Sequence, residues 1–163
     1  MKTADFTTTL LVNQTPAVVF NAINNVRGWW SEEIKGSTDK LNDEFSYHFE
    51  DIHSCKMKLI EVVHNQKVVW LVMENYFKFT RDSSEWTGTK ISFEIVEQDN
   101  KTQLRFTHHG LVPEYECYDI CRDSWSNYIH HSLASLVNTG KGLPNGTGTA
   151  RTENEEKFLA DKK

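Results

Sequence analysis

Cysteine and proline are scarce in this chain, three of each among 163 residues. Three cysteines, Cys55, Cys117 and Cys121, are too few for a disulfide-stapled scaffold, and three cannot all pair. No run approaches the roughly 18 consecutive apolar residues of a membrane span, and the start MKTADFTTTLLVN lacks the long apolar core of a signal peptide. Positive charge is in deficit: 18 Lys plus Arg against 23 Asp plus Glu leaves −5. A chain of that balance offers no basic face to displace counterions, which excludes nucleic acid as the expected partner. These absences point to a cytoplasmic chain with no membrane span. What is plentiful is aromatic: 9 Phe, 5 Trp and 5 Tyr, within a hydrophobic fraction of 38%. At about 150 residues per domain the length fits one domain with a sizeable core.

The pattern along the chain is strand, helix, many strands, long helix. FTTTLLV (6–12) is β-rich and leads to Thr15-Pro16, a residue suited to an N-cap followed by one suited to the first helical turn. Val19, Phe20, Ile23 and Val26 then recur at helical spacing, and Arg27-Gly28-Trp29-Trp30-Ser31 breaks the period with a turn and a short helical piece. From there to about residue 109 the period is two. Phe45, Tyr47 and Phe49 share one face of 44–50; Ile91, Phe93 and Ile95 share one face of 90–97; Leu104, Phe106 and His108 share one face of 102–108. Hairpin signals stand at His64-Asn65-Gln66 and Asp99-Asn100, and a slip of phase near Leu59-Ile60 predicts a bulge. The run 68–73, VVWLVM, is apolar on both faces, which fits a central strand or the contact of a homodimer. Between Glu116 and Thr139 there is no Pro or Gly, and Tyr118, Cys121, Trp125, Ile129, Leu133, Leu136 and Val137 form one helical stripe that ends before Gly140. Beyond it, the Gly- and Thr-rich stretch has little to bury and reads as a tail or surface wrap. Thr152 and Glu155 have the spacing of a capping box, ahead of Phe158 and Leu159, and suggest a short terminal helix.

A sheet with one apolar face needs a cover, and the long helix supplies it. The inward residues are bulky rings: Phe45, Tyr47, Phe49, Phe93 and Phe106 from strands, Trp125 and Tyr128 from the helix, with Trp70 in the doubly apolar strand. Such rings either fill the core or prop the helix off the sheet and enclose a small-molecule pocket. The residues alone leave both outcomes open.

Three stretches, FTTTLLVNQTPAVVFNAINNVRGWWS, EWTGTKISFEI and LRFTHHGLVPEYECYDICRDSWSNYI, resemble bacterial members of the activator of heat-shock protein 90 ATPase homologue 1-like family, within the START-like (SRPBCC, Bet v 1-like) superfamily. The resemblance runs over about residues 6–140, with the GLVPE-to-helix junction its most specific part. It implies an α+β helix-grip fold: a curved antiparallel sheet of six to seven strands wrapped around a long C-terminal helix, two short helices after the first strand, and a hydrophobic cavity between sheet and helix. On this reading residues 1–140 form the START-like domain and 141–163 a flexible C-terminal tail. The arrangement also puts Trp29 and Trp30 near the cavity mouth, where they gate or line the entrance or clamp the small helices onto the sheet.

The expected function is therefore a module that binds a small apolar, aromatic or lipid-like molecule, with Trp30, Phe45, Tyr47, Phe49, Trp70, Phe93, Phe106, His108, Trp125 and Tyr128 as the cavity set. No nucleophile elbow, phosphate loop or paired carboxylates occur in a usable context, and no cofactor is called for. Cys117 and Cys121 share a helix face near His108 and His109, but no paired CxxC-type spacing supports a metal, and structural cysteines are the better reading. Were the pocket to do chemistry, as a cyclase or hydrolase, His108 is the acid–base candidate. A third reading, from the family resemblance, is a chaperone-interacting module. The segment RDSSEWTGT (81–89), polar with one Trp86, reads as a mobile rim loop or an exposed hairpin tip.

Overall fold

The computed structural model describes residues 5–81, 83–145 and 152–161. Its elements follow the expected order: β1 (Phe6–Val12), α1 (Pro16–Asn24), α2 (Val26–Trp29), β2 (Lys35–Gly36), β3 (Glu44–Phe49), β4 (His53–Val63), β5 (Lys67–Phe77), β6 (Lys90–Gln98) and β7 (Lys101–His109). The long C-terminal helix comprises α3 (Tyr118–Asn127), a π-helical turn (Tyr128–Leu133) and α4 (Ala134–Thr139); a final helix, α5, spans Glu153–Asp161. The seven strands form one antiparallel sheet in the order β1-β7-β6-β5-β4-β3-β2. No helix among the described residues is long and apolar enough to cross a membrane.

Local chemistry sets each boundary. Thr15 Oγ1 accepts from the Val18 amide at 3.2 Å, and Pro16 opens α1. Asp99 and Asn100 both take positive φ (51° and 65°), the backbone of a tight two-residue hairpin turn that matches strand twist. The β4–β5 ladder shifts register between Leu59 and Glu61, where the sequence pattern slips, and again between Lys56 and Met57. These irregularities increase the local bend of the sheet. Gly140, in the left-handed region (φ 84°), ends α4 with its amide donating to the Leu136 carbonyl at 2.9 Å.

The layer between sheet and helix is aromatic. Trp29 and Trp70 stack with centroids 6.2 Å apart, Trp30 and Trp70 at 6.0 Å, and Trp86 and Trp125 at 5.6 Å. Phe93 meets Trp70 edge-on at 4.9 Å and Phe106 at 5.3 Å. Along this part of the interface the rings occupy the space that an open cavity would need. Trp86 is 3% exposed and so departs from the exposed-tip alternative for its segment: the loop after β5 folds back along the strand, with Val72 N donating to the Thr89 carbonyl at 2.9 Å, and returns the indole to the interior. On β5, Val68, Trp70 and Val72 point inward, Val69 is also buried, and Met73 is 36% exposed.

The segment expected as a flexible tail contributes groups to the body. Asn145 is fully buried; its amide donates to the Trp30 carbonyl and its carbonyl accepts from Glu32, both at 2.9 Å. Thr152 and Glu155 form the capping box reciprocally, Glu155 N donating to Thr152 Oγ1 at 3.0 Å and Thr152 N to Glu155 Oε1 at 3.2 Å. Hydropathy could not register this docking, because it is made by polar side chains and backbone. Residues 146–151 and the side chains of Phe158 and Leu159 lie outside what is described. A Cβ on Gly142 would fall 2.1 Å from the Gly28 carbonyl oxygen. Gly142→Ala is therefore expected to cost about 1–3 kcal/mol, as overpacking does. Urea denaturation measures this, and an unchanged midpoint would mean that 141–145 does not hold its place.

Candidate functional site

Among the described residues the sheet–helix layer leaves an apolar recess with a buried base, where Trp30 backs onto Trp29 and Trp70. Its volume is about 50 Å³. β3 supplies Tyr47 and Phe49, the β4 and β5 ends His53 and Phe77, the loop before β6 Trp86, α3 Cys121 and Trp125, and the π-helical turn Tyr128. Trp30 completes the base. The rim, half-buried, is Phe79, Ile120, Ser124 and Asn154. A cavity needs only about 10–15 Å³ of comparable space for one water, whereas drug-sized molecules occupy clefts of about 300–1,000 Å³. The recess as it stands holds a few waters and no lipid chain.

The cavity set expected from the sequence divides in two. Trp30, Tyr47, Phe49, Trp125 and Tyr128 line the recess. Phe45, Trp70, Phe93 and Phe106 lie in the packed core, each no more than 1% exposed, and do not reach it. The neighbouring tryptophans split roles likewise: Trp30 lines, while Trp29 clamps, its indole N–H donating to the Ile23 carbonyl at 3.1 Å.

His108 also stands outside the recess, at the centre of a closed hydrogen-bond chain. Trp125 Nε1–H can only donate, so at 3.1 Å it makes His108 Nδ1 the acceptor. The ring proton then resides on Nε2 and is donated to Thr89 Oγ1 at 2.8 Å, and Thr89 in turn donates to the Trp86 carbonyl at 2.6 Å. Burial, followed by the neighbouring His109 and His53, lowers the imidazole to about 3. Both nitrogens are engaged and the ring is neutral, so the group placed for acid–base work instead ties sheet, loop and helix together. His53, lowered to about 3 by burial, is likewise neutral.

One end of the recess is polar. Asn145 Nδ2 donates to the Tyr128 hydroxyl at 2.7 Å and to the Tyr47 hydroxyl at 2.9 Å. Tyr128 donates to Glu155 Oε2 at 2.6 Å, and Asn145 Nδ2 lies 3.5 Å from the same oxygen. Burial first, and then the neighbouring charges, pushes both phenols up, which keeps them protonated and able to donate. The π-helical turn begins at Tyr128, and such turns alter which side chains a helix presents inward. Sequence reading missed Asn145, Glu155, Trp86 and His53. The Thr152–Glu155 spacing was a signal for Glu155 as a cap; Asn145, in a Gly-rich stretch, had none.

Two further clusters bring reactive side-chain types together. Asp5, His109 and Ser92 form an acid–imidazole–hydroxyl row: Asp5 Oδ2 lies 3.6 Å from His109 Nδ1, and His109 Nε2 lies 2.9 Å from Ser92 Oγ. Ser92, 2% exposed and flanked in register by Val69 and Thr107, presents no surface to a substrate. Cys117 and Cys121 are buried free thiols, burial raising Cys121, and no cluster of three or more metal-ligating side chains occurs among the described residues.

A curved antiparallel sheet closed on a long C-terminal helix, with a recess at one end of the interface, defines the helix-grip class of Bet v 1-like proteins. Within that class, residues 13–138 match the family described as Activator of Hsp90 ATPase homolog 1-like protein, and the chain belongs to it. Among solved structures it is similar to the Aha1 dimer of Colwellia psychrerythraea, determined in solution (20% identity, TM-score 0.68, covering 85% of this chain and 99% of that one). It is also similar to MLL2253 of Mesorhizobium loti (12%, TM-score 0.65, 85% and 100%) and CalU16 of Micromonospora echinospora (10%, TM-score 0.57, 82% and 76%). At these identities the likeness is one of fold. No curated protein matches the chain.

The two buried imidazoles make stability depend on pH. Each has a folded-state pKa near 3, against about 6.5 when unfolded, so the unfolded chain binds more protons below pH 6.5. Stability is full above that value and falls as pH drops toward 3, by at most about 1.4 kcal/mol per pH unit for each ring. His108→Gln is expected to remove one proton from this slope. Urea midpoints measured from pH 7 to 4 test it; an unaltered slope would show that His108 is not held neutral.

Proposed function

We propose that this chain is a small-molecule binding module that takes an apolar or aromatic guest in the recess between β3, α3 and the π-helical turn. One observation supports the reading above the others: buried rings, Trp30, Phe49 and Trp125, converge with the Tyr47 and Tyr128 hydroxyls beneath a half-buried rim. Flat apolar walls with a few placed polar groups are the usual make-up of a ligand site. With about 50 Å³ free, a guest enters by parting the rim, and a compact one- or two-ring molecule fits better than a lipid. Calorimetric titration with 2-naphthol is the direct test. Wild type is expected to bind, and Ser124→Trp, which plugs the half-buried rim, to bind at least tenfold more weakly, while Val96→Thr on the far surface matches wild type. No binding by wild type, or equal binding by Ser124→Trp, would overturn the reading.

Family membership favours a second reading, a chaperone co-factor that stimulates a heat-shock protein 90 ATPase. An ATPase assay with the cognate chaperone separates the two. Three buried free thiols suit a reducing, cytoplasmic setting. The partly exposed Met73 of β5 suits a homodimer contact, in line with the dimeric Colwellia psychrerythraea relative.

A further inference from the structure

The polar end of the recess already holds a carboxylate, and the chain itself provides it. Glu155, 7% exposed, leaves α5 and places Oε2 against the Tyr128 hydroxyl and near the Asn145 amide. Those partners belong to the body: Tyr128 is set by the π-helical turn, and Asn145 is held by two backbone hydrogen bonds to the segment after Trp30. The carboxylate is brought in by a nine-residue helix whose joining segment is rich in Gly and Thr. A receptor built on fixed elements, filled by a group on a separate short helix, has the form of a site with its own internal competitor.

We propose that the Tyr128 hydroxyl, held in place by Asn145 behind it, is a carboxylate subsite, and that a small aromatic carboxylic acid occupies it by displacing Glu155 and lifting the first turn of α5. This rests on the recess being a ligand site and adds the class of its ligand. The ring of such an acid would lie against Trp30 and Trp125, with its carboxylate where Glu155 Oε2 now accepts. Hydrogen bonds to a charged acceptor are about twice as strong as neutral ones, so the body gains as much from the guest carboxylate as it loses from its own. Expulsion of Asn154 and Glu155 also enlarges the recess, since both line it. The tethered helix competes at high effective concentration, so the apparent affinity of wild type is the intrinsic affinity multiplied by the fraction of time α5 is undocked.

The test pairs 2-naphthoate with its neutral methyl ester, titrated into the full chain by calorimetry. Glu155→Gln keeps the capping spacing of α5 but removes the competing charge. It is expected to tighten 2-naphthoate at least tenfold and the ester less than threefold, and Tyr128→Phe added to it should erase the gain. In wild type, 2-naphthoate should speed amide exchange across 152–161, a readout that needs no substitution. Equal gains for both probes, or unchanged exchange with 2-naphthoate bound, would overturn the carboxylate subsite while leaving the recess a ligand site. Failure of every variant to bind either probe would overturn both.

Discussion

The structure depends on a layer of aromatic rings held in register between a bent sheet and one long helix. Rings bury much area for little lost rotamer freedom, but an indole or imidazole also brings N–H and N: groups that must be satisfied away from water. The chain Trp125–His108–Thr89–Trp86 answers that need across three elements at once: helix, strand and loop. It fixes the tautomer of His108, draws the loop before β6 inward and sets Trp125 against Trp86. The same burial that makes this network strong keeps its imidazole neutral, so the buried group that resembles a catalytic histidine works as a structural tie.

The recess lies where that layer ends. Toward Trp29, Trp70 and Phe93 the rings pack directly on one another. Toward β3 and the start of the π-helical turn, polar groups take over, and two phenols, an amide and a carboxylate fill the last of the space. A π-helical turn in the middle of a long helix is uncommon, and here its first residue is the one whose hydroxyl meets the carboxylate. Packing, polarity and helix geometry thus change together at one place, which also has a half-buried rim. A compact ring with a polar handle meets more of these features than an extended lipid does.

Much of the fold was legible in the residues. The alternation of Phe45, Tyr47 and Phe49, the Asp99-Asn100 turn and the stripe from Tyr118 to Val137 each reflect a local rule, so strands, hairpins and the long helix fall where the pattern places them. Of the site, the rings of Tyr47, Phe49, Trp125 and Tyr128 were legible as inward residues, and Trp30 was placed near the cavity only by the family resemblance. Periodicity, however, assigns a face and not a depth along the interface, so Phe45, Trp70, Phe93 and Phe106 could not be told from them. Trp86 lay in a polar loop whose return to the core is made by backbone hydrogen bonds, and Asn145 and Glu155 dock through polar atoms that hydropathy scores as exposed.

The sequence by itself determined the order of elements, the face each presents inward and the aromatic character of the interior, because those follow from spacing and side-chain type. Only the tertiary structure decided whether the rings would leave a gap, where that gap lies and which polar groups close it. Ring-to-ring packing depends on the bend of the sheet and the phase of the helix, and both are set by contacts between residues far apart in the chain.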